Sequence, residues 1–87
     1  QFYKIDNTEG LRVLGGLYMY DLIKQKEELA YLHTILLEHS SSNCMAQFYL
    51  GYMYKKGDLL TQNNMEAKEW FQKSINNGCD FVKKLKL

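Results

Sequence analysis

The segment Leu14-Gly15-Gly16-Leu17-Tyr18 returns as Leu50-Gly51-Tyr52-Met53-Tyr54, 36 residues further on. Self-similarity at such a period constrains a fold more than composition does, because each copy is one supersecondary unit that must bury a face against the next. Further along, Ala30 lies over Ala67 and His33 over Trp70, now 37 residues apart, so the first unit has a connection one residue shorter. Two helices per unit at this period predict an α/α solenoid, in which each helix pair leaves one face for the next pair to cover. The 87 residues hold two units and short flanks. That size excludes a two-lobed enzyme with a cleft between domains and leaves little room for a large cofactor cavity.

Helical periodicity runs through the same segments. Asp6 and Glu9 form a helix start signal, with the two side chains placed to satisfy first-turn amides. Leu11, Leu14, Leu17 and Tyr18 then recur at spacings of three and four, predicting a helix to about Asp21. Leu29, Leu32, His33, Leu36 and Leu37 make a second stripe ending near His39, and Ser40 to Asn43 break it and supply the next cap. Ala46, Leu50, Met53 and Tyr54 mark a third helix stopping before Gly57. Thr61 to Asn64 cap a fourth, with Ala67, Trp70, Phe71 and Ser74 inward and a stop at Gly78. Phe81, Val82 and Leu85 in the segment 80–87 predict the start of a fifth helix or a frayed tail. The chain contains no proline, which permits uninterrupted helices, and no stretch alternates as a strand would. The prediction is all-α: one domain over residues 1–87, with a degenerate first repeat at about 7–41, a second at about 42–78 and a capping segment at 79–87.

The residue types suit that geometry. Small Ala46 and Gly51 let paired helices approach, Leu50 and Tyr54 fill the space around them, and Trp70 supplies apolar area. A fully buried Trp70 ring would make Trp70→Ala cost about 3–5 kcal/mol. The series Ala46-x-x-x-Leu50-Gly51-x-x-Tyr54-x-x-Gly57, followed by Asn63, Ala67, Trp70, Lys73 and Gly78, resembles the Sel1-like repeat, a relative of the tetratricopeptide repeat. Departures are Leu59 where the family usually has Gly, Asn63 for Asp, and Ser74-Ile75 for a pair of alanines. The first unit is a weaker copy, with Gly10 for Ala, Asp21 for Gly and His33 for Trp. The repeat core therefore comprises Leu14, Gly15, Tyr18, Ala30 and His33 in the first unit. In the second it comprises Ala46, Leu50, Gly51, Tyr54, Gly57, Ala67, Trp70 and Gly78. The resemblance implies a non-enzymatic module for protein–protein interaction, of adaptor, scaffold or toxin-neutralising type. An alternative from cysteine-rich relatives is a cysteine-dependent hydrolase or β-lactam-binding protein, although their closely spaced cysteine pairs are missing here. A third reading is a structural fragment of a longer array that stacks or self-associates through its exposed ends.

Catalysis has little to work with. The only nucleophile and base candidates are Cys44 or Cys79 with His33 or His39, and no phosphate loop, metalloprotease motif or nucleophile elbow is present. His33 sits in an apolar stripe, as a half-buried core residue would, and His39 lies where a helix C-terminus favours a cation. The same four residues lack the close cysteine pairing of a zinc site, so neither a metal nor a cofactor is predicted. Cys44 begins the third helix and Cys79 follows the fourth, so an antiparallel pair would bring them close. They either form a disulfide that staples the second hairpin or remain two separate buried thiols, and the balance leans slightly to the thiols because cysteine is often buried unpaired. An oxidised pair would place the chain in the periplasm or outside the cell; reduced thiols would suit the cytoplasm.

A net charge of +1 argues against a general nucleic-acid binder, and the basic tail at Lys83, Lys84 and Lys86 reads as a solvated face. No apolar run is long enough to span a bilayer. A partner protein or peptide is the remaining expectation. Tyr49, Tyr52 and Lys56 lie at i, i+3 and i+7 on the third helix, with Val13, Gly16 and Tyr20 as their counterparts on the first. Tyrosine offers contact area at little rotamer cost, so this stripe is the predicted partner surface; its aromatics could instead pack against the neighbouring repeat. Frequent Asn and Lys and the lack of Pro suggest a bacterial source.

Overall fold

The computed structural model describes residues 7–20, 22–23 and 25–85, without the side chains of 7–10, 12 and 14. Asp6, half of the start signal, and the repeat position Asp21 therefore lie outside the described residues, and Glu9, Gly10 and Leu14 are described only in their helical backbone. Among the described residues four α-helices follow one another: α1 Asn7–Met19, α2 Lys26–Glu38, α3 Cys44–Lys56 and α4 Asn64–Asn76. A 3-10 helix, Asp80–Lys84, occupies the segment read as a fifth helix or tail. Among the described residues there is no strand, and the fold is all-α.

The helix ends follow from their residues. Asn43 Oδ1 accepts hydrogen bonds from the Met45 and Ala46 amides at 2.9 and 3.2 Å, and Asn63 Oδ1 accepts from the Glu66 amide at 3.1 Å. Each satisfies donors that the first helical turn leaves without a partner. Gly57 stops α3 in the left-handed region at φ 78° and donates its N–H to the Met53 carbonyl at 2.8 Å. Leu59, which stands where the resembling repeats usually have Gly, also has positive φ, at 63°, a conformation that costs a non-glycine residue about 1 kcal/mol or more. By contrast, α2 starts at Gln25 with no side-chain cap, although Glu27 and Glu28 in its first turn favour the helix dipole.

α3 and α4 form the most extensively packed pair, with α2 against α3 and α1 against α2. Tyr18, Leu32, Ile35, Leu36, Leu50 and Met53 are fully buried at the centre. Gly51 is a point of close approach between α3 and α4: a Cβ there would stand 2.7 Å from the Phe71 ring and 3.1 Å from the Ala67 carbonyl oxygen. At one end of the hairpin the Asn63 amide donates to the Tyr54 carbonyl. At the other end Cys44 and Cys79 form a disulfide with Cα atoms 5.7 Å apart. The two chain ends of the antiparallel pair meet there, so the structure takes the bridge rather than two separate thiols.

Three positions of the sequence reading are corrected. Ala30 is exposed, and Leu29 takes the inward place instead; a one-residue offset turns a helix by about 100°, so α2 sits one position out of the alignment with Ala67. Leu37 is 51% exposed for the same reason, while Ile35 and Leu36 are buried. Trp70 is only partly buried, with the Lys73 ammonium 4.3 Å from its ring centroid, whereas Ala67, Phe71 and Ser74 face inward as read. The full cost of burying an indole therefore does not apply to Trp70→Ala.

Candidate interaction surface

The predicted stripe divides into a covered half and an open half. On α3, Tyr49 is 5% exposed. Its ring lies against Gly15, where an added Cβ would stand 2.8 Å from Tyr49 Cδ2. Burial pushes the Tyr49 phenol above the ordinary tyrosine value. This corrects its assignment to a partner surface: Tyr49 is an internal contact between α3 and α1. Tyr52 is half-buried and meets Tyr18 edge to face, with ring centroids 5.6 Å apart. Lys56 lies over both rings, 5.2 Å from the Tyr18 centroid and 5.4 Å from that of Tyr52.

Asp58 closes this cluster. Its Oδ2 accepts from the Tyr18 hydroxyl at 2.9 Å and pairs with Lys56 Nζ at 3.4 Å. Sequence reading did not single out Asp58, because no local signal links a turn carboxylate to a tyrosine 40 residues earlier. It also passed over Phe48, which is 2% exposed and touches the rings of Tyr49, Tyr52, Phe71 and Phe81. The i, i+4 spacing of Phe48 with Tyr52 was the signal available.

On α1 the stripe is open. Val13 is 41% and Tyr20 80% exposed, and a Cβ added at Gly16 would meet nothing within 4 Å. Val13, Gly16 and Tyr20 line the outer side of α1, while Leu11, Gly15 and Tyr18 face the core.

The catalytic candidates do not converge. Both sulfurs are in the bridge. His33 is half-buried, and burial holds its imidazole below the usual histidine value. His39 caps α2, its backbone N–H donating to the Ile35 and Leu36 carbonyls, and its Nε2 is enclosed with no hydrogen-bond partner among the described residues. Among the described residues, no three His, Cys, Asp or Glu side chains group as metal ligands would, and no helix is long and apolar enough to cross a membrane. Lys83 and Lys84 are exposed on the 3-10 helix, whose Val82 is buried and whose Phe81 packs on Phe48 at 5.3 Å between centroids.

Comparison with known families matches residues 44–79, from one bridged cysteine to the other, to the Sel1 repeat. The second hairpin is a Sel1 repeat. Such repeats are tetratricopeptide-like modules that typically mediate protein–protein interaction and are usually non-catalytic. Neither curated proteins nor solved structures gave a match to the chain. The match begins at α3, and the preceding hairpin is the one in which His33 replaces the expected Trp and the second helix is offset by a residue.

Proposed function

We propose that the chain is a non-enzymatic interaction module built of two helical repeats, residues 7–41 as a degenerate first unit and 42–78 as the second. It binds another protein through the outer face of α1. The observation that carries this is the contrast between equivalent stripes. Tyr49 and Tyr52 are engaged with α1, whereas Val13 and Tyr20 are exposed and, among the described residues, a Cβ added at Gly16 would meet nothing within 4 Å. An exposed tyrosine beside an aliphatic residue and a flat glycine is an economical anchor for a protein surface. Adaptor, scaffold and toxin-neutralising roles all fit such a face, and the partner decides among them. The bridge between Cys44 and Cys79 favours a compartment outside the reducing cytoplasm. It also counts against a cysteine-dependent hydrolase, since the nucleophile would have to be a thiolate.

The test is affinity capture from source cells followed by mass spectrometry. A protein retained by the native chain should be lost on Val13→Asp with Tyr20→Asp, while circular dichroism stays unchanged. Retention of the same partner by that variant would overturn the α1 assignment. Sedimentation of the isolated chain separates this reading from self-association.

A further inference from the structure

Away from the disulfide, an open groove of about 210 Å³ lies between the last turn of α3 and the start of α4. Ala67 and Phe71 form its apolar floor, and Lys55, Asn64 and Lys68 its walls. The floor is fixed, because Gly51 lets the Phe71 ring settle against α3 and both floor residues are buried. The frame is fixed too. Three carbonyls in the last turn of α3 are taken: Met53 by the Gly57 amide, Tyr54 by the Asn63 amide and Lys55 by the Gln62 side-chain amide at 2.9 Å. Those bonds engage the negative end of α3, while the groove opens at the N-terminal, partly positive end of α4.

Charge and size choose the occupant. No carboxylate lines the groove, and among the described residues neither Lys55 nor Lys68 has an ion-pair partner. Its volume is below the roughly 300–1,000 Å³ of small-molecule sites, so it suits one side chain rather than a cofactor. Two lysines are too few for the phosphate contacts of a nucleic-acid backbone. We infer that this groove receives an acidic segment of a partner protein, with one aliphatic side chain on the Ala67–Phe71 floor and its flanking carboxylates on Lys55 and Lys68. The inference rests on the protein-binding reading above and adds the chemistry of the partner.

The probe is a fluorescein-labelled nonapeptide with a central leucine and glutamate at every other position, titrated against the full oxidised chain at low salt. Saturable binding is expected, with amide shift changes concentrated at Ala67, Lys68 and Phe71. Lys55→Glu combined with Lys68→Glu should weaken it about tenfold or more, and a central glycine in the peptide about tenfold. Both lysines lie outside the core, so the variant's thermal midpoint should match that of the native chain. Absence of binding, equal affinity for the charge-reversed chain, or lysine-dependent binding of a single-stranded oligonucleotide in place of the peptide would each overturn the assignment. If the peptide fails while partner capture still depends on Val13 and Tyr20, the interaction-module reading stands and the groove assignment falls.

Discussion

The two hairpins share a plan and differ in how they are held. In the second, α3 and α4 pack closely over Gly51, both helices are capped by asparagine, and a disulfide joins their ends. Two side-chain bonds reinforce that end. Ser74 Oγ donates to the Cys44 carbonyl at 2.7 Å, and Asn77 Nδ2 donates to Gln47 Oε1 at 2.9 Å. Gln47 is itself buried, and its Nε2 donates to the Ser40 carbonyl. In the first hairpin the helices are less extensively packed, and α2 begins without a side-chain cap. Residues held by few contacts open at lower free energy, so two joined hairpins can combine a rigid half with a more adaptable one. The adaptable half carries the open stripe of α1.

Removing the bridge should produce the largest change. The cysteines are 35 residues apart, so the chain-entropy model gives about 3–4 kcal/mol for the cross-link. Reduction, or Cys44→Ser with Cys79→Ser, should lower Tm by more than about 10 °C. Hydrogen exchange should then show α3 and α4 opening at free energies close to those of α1 and α2. A shift of only a degree or two would mean that packing alone holds the second hairpin.

The glycines come next. Gly51→Ala drives a methyl into the Phe71 ring and towards the Ala67 backbone, and should cost about 1–3 kcal/mol by thermal or urea unfolding. Gly15→Ala also meets a ring, that of Tyr49, and should cost less, because α1 is less extensively packed than α3 and α4 and can shift. Gly16→Ala meets nothing and should gain about 0.5–1 kcal/mol from helix propensity. If Gly15→Ala proves the costlier of the two buried changes, the first hairpin is the more rigid one and the comparison fails.

Capping offers a smaller test. Asn43→Ala removes the acceptor for two first-turn amides and should cost about 1 kcal/mol. Gln25→Asn supplies the side-chain cap that α2 lacks, and should gain about 0.5–1 kcal/mol while slowing exchange in α2. Unchanged exchange would show that the α2 start is already satisfied in another way.

The smallest effect is a pH dependence from the first hairpin. Burial depresses the His33 pKa, so the native chain binds fewer protons than the unfolded one between the native value and about 6.5. The stabilisation from keeping His33 neutral is complete above about pH 6.5 and is lost as pH falls through that value towards the native one. His33→Gln should flatten this slope in urea titrations between pH 7 and 5. A slope unchanged by the substitution would assign it to other groups.

Much of the fold was legible because it rests on local patterns. Leu50, Gly51 and Gly57 announced the Sel1 hairpin, Asn43 and Asn63 its caps, and the lack of proline allowed four helices. The site was less legible. Tyr49, Tyr52 and Lys56 share a stripe by spacing, but spacing does not say whether another helix already covers it. Tyr49 turned out to face Gly15, and Tyr52 and Lys56 joined Tyr18 and Asp58. The offset that exposes Ala30 was hidden because the α1–α2 connection has no signal strong enough to fix its length to one residue.

By itself the sequence determined the all-α repeat, the helix stops and the chemistry on offer: two cysteines, few candidate bases and an excess of tyrosine. Those follow from period, backbone preference and residue type, which act over a few neighbouring positions. Tertiary structure alone decided that Cys44 bonds to Cys79, that Tyr49 is spent on internal packing, and that Lys55 and Lys68 flank an apolar groove. Each depends on how helices distant in sequence approach, and that is set by the volume of side chains meeting across the core.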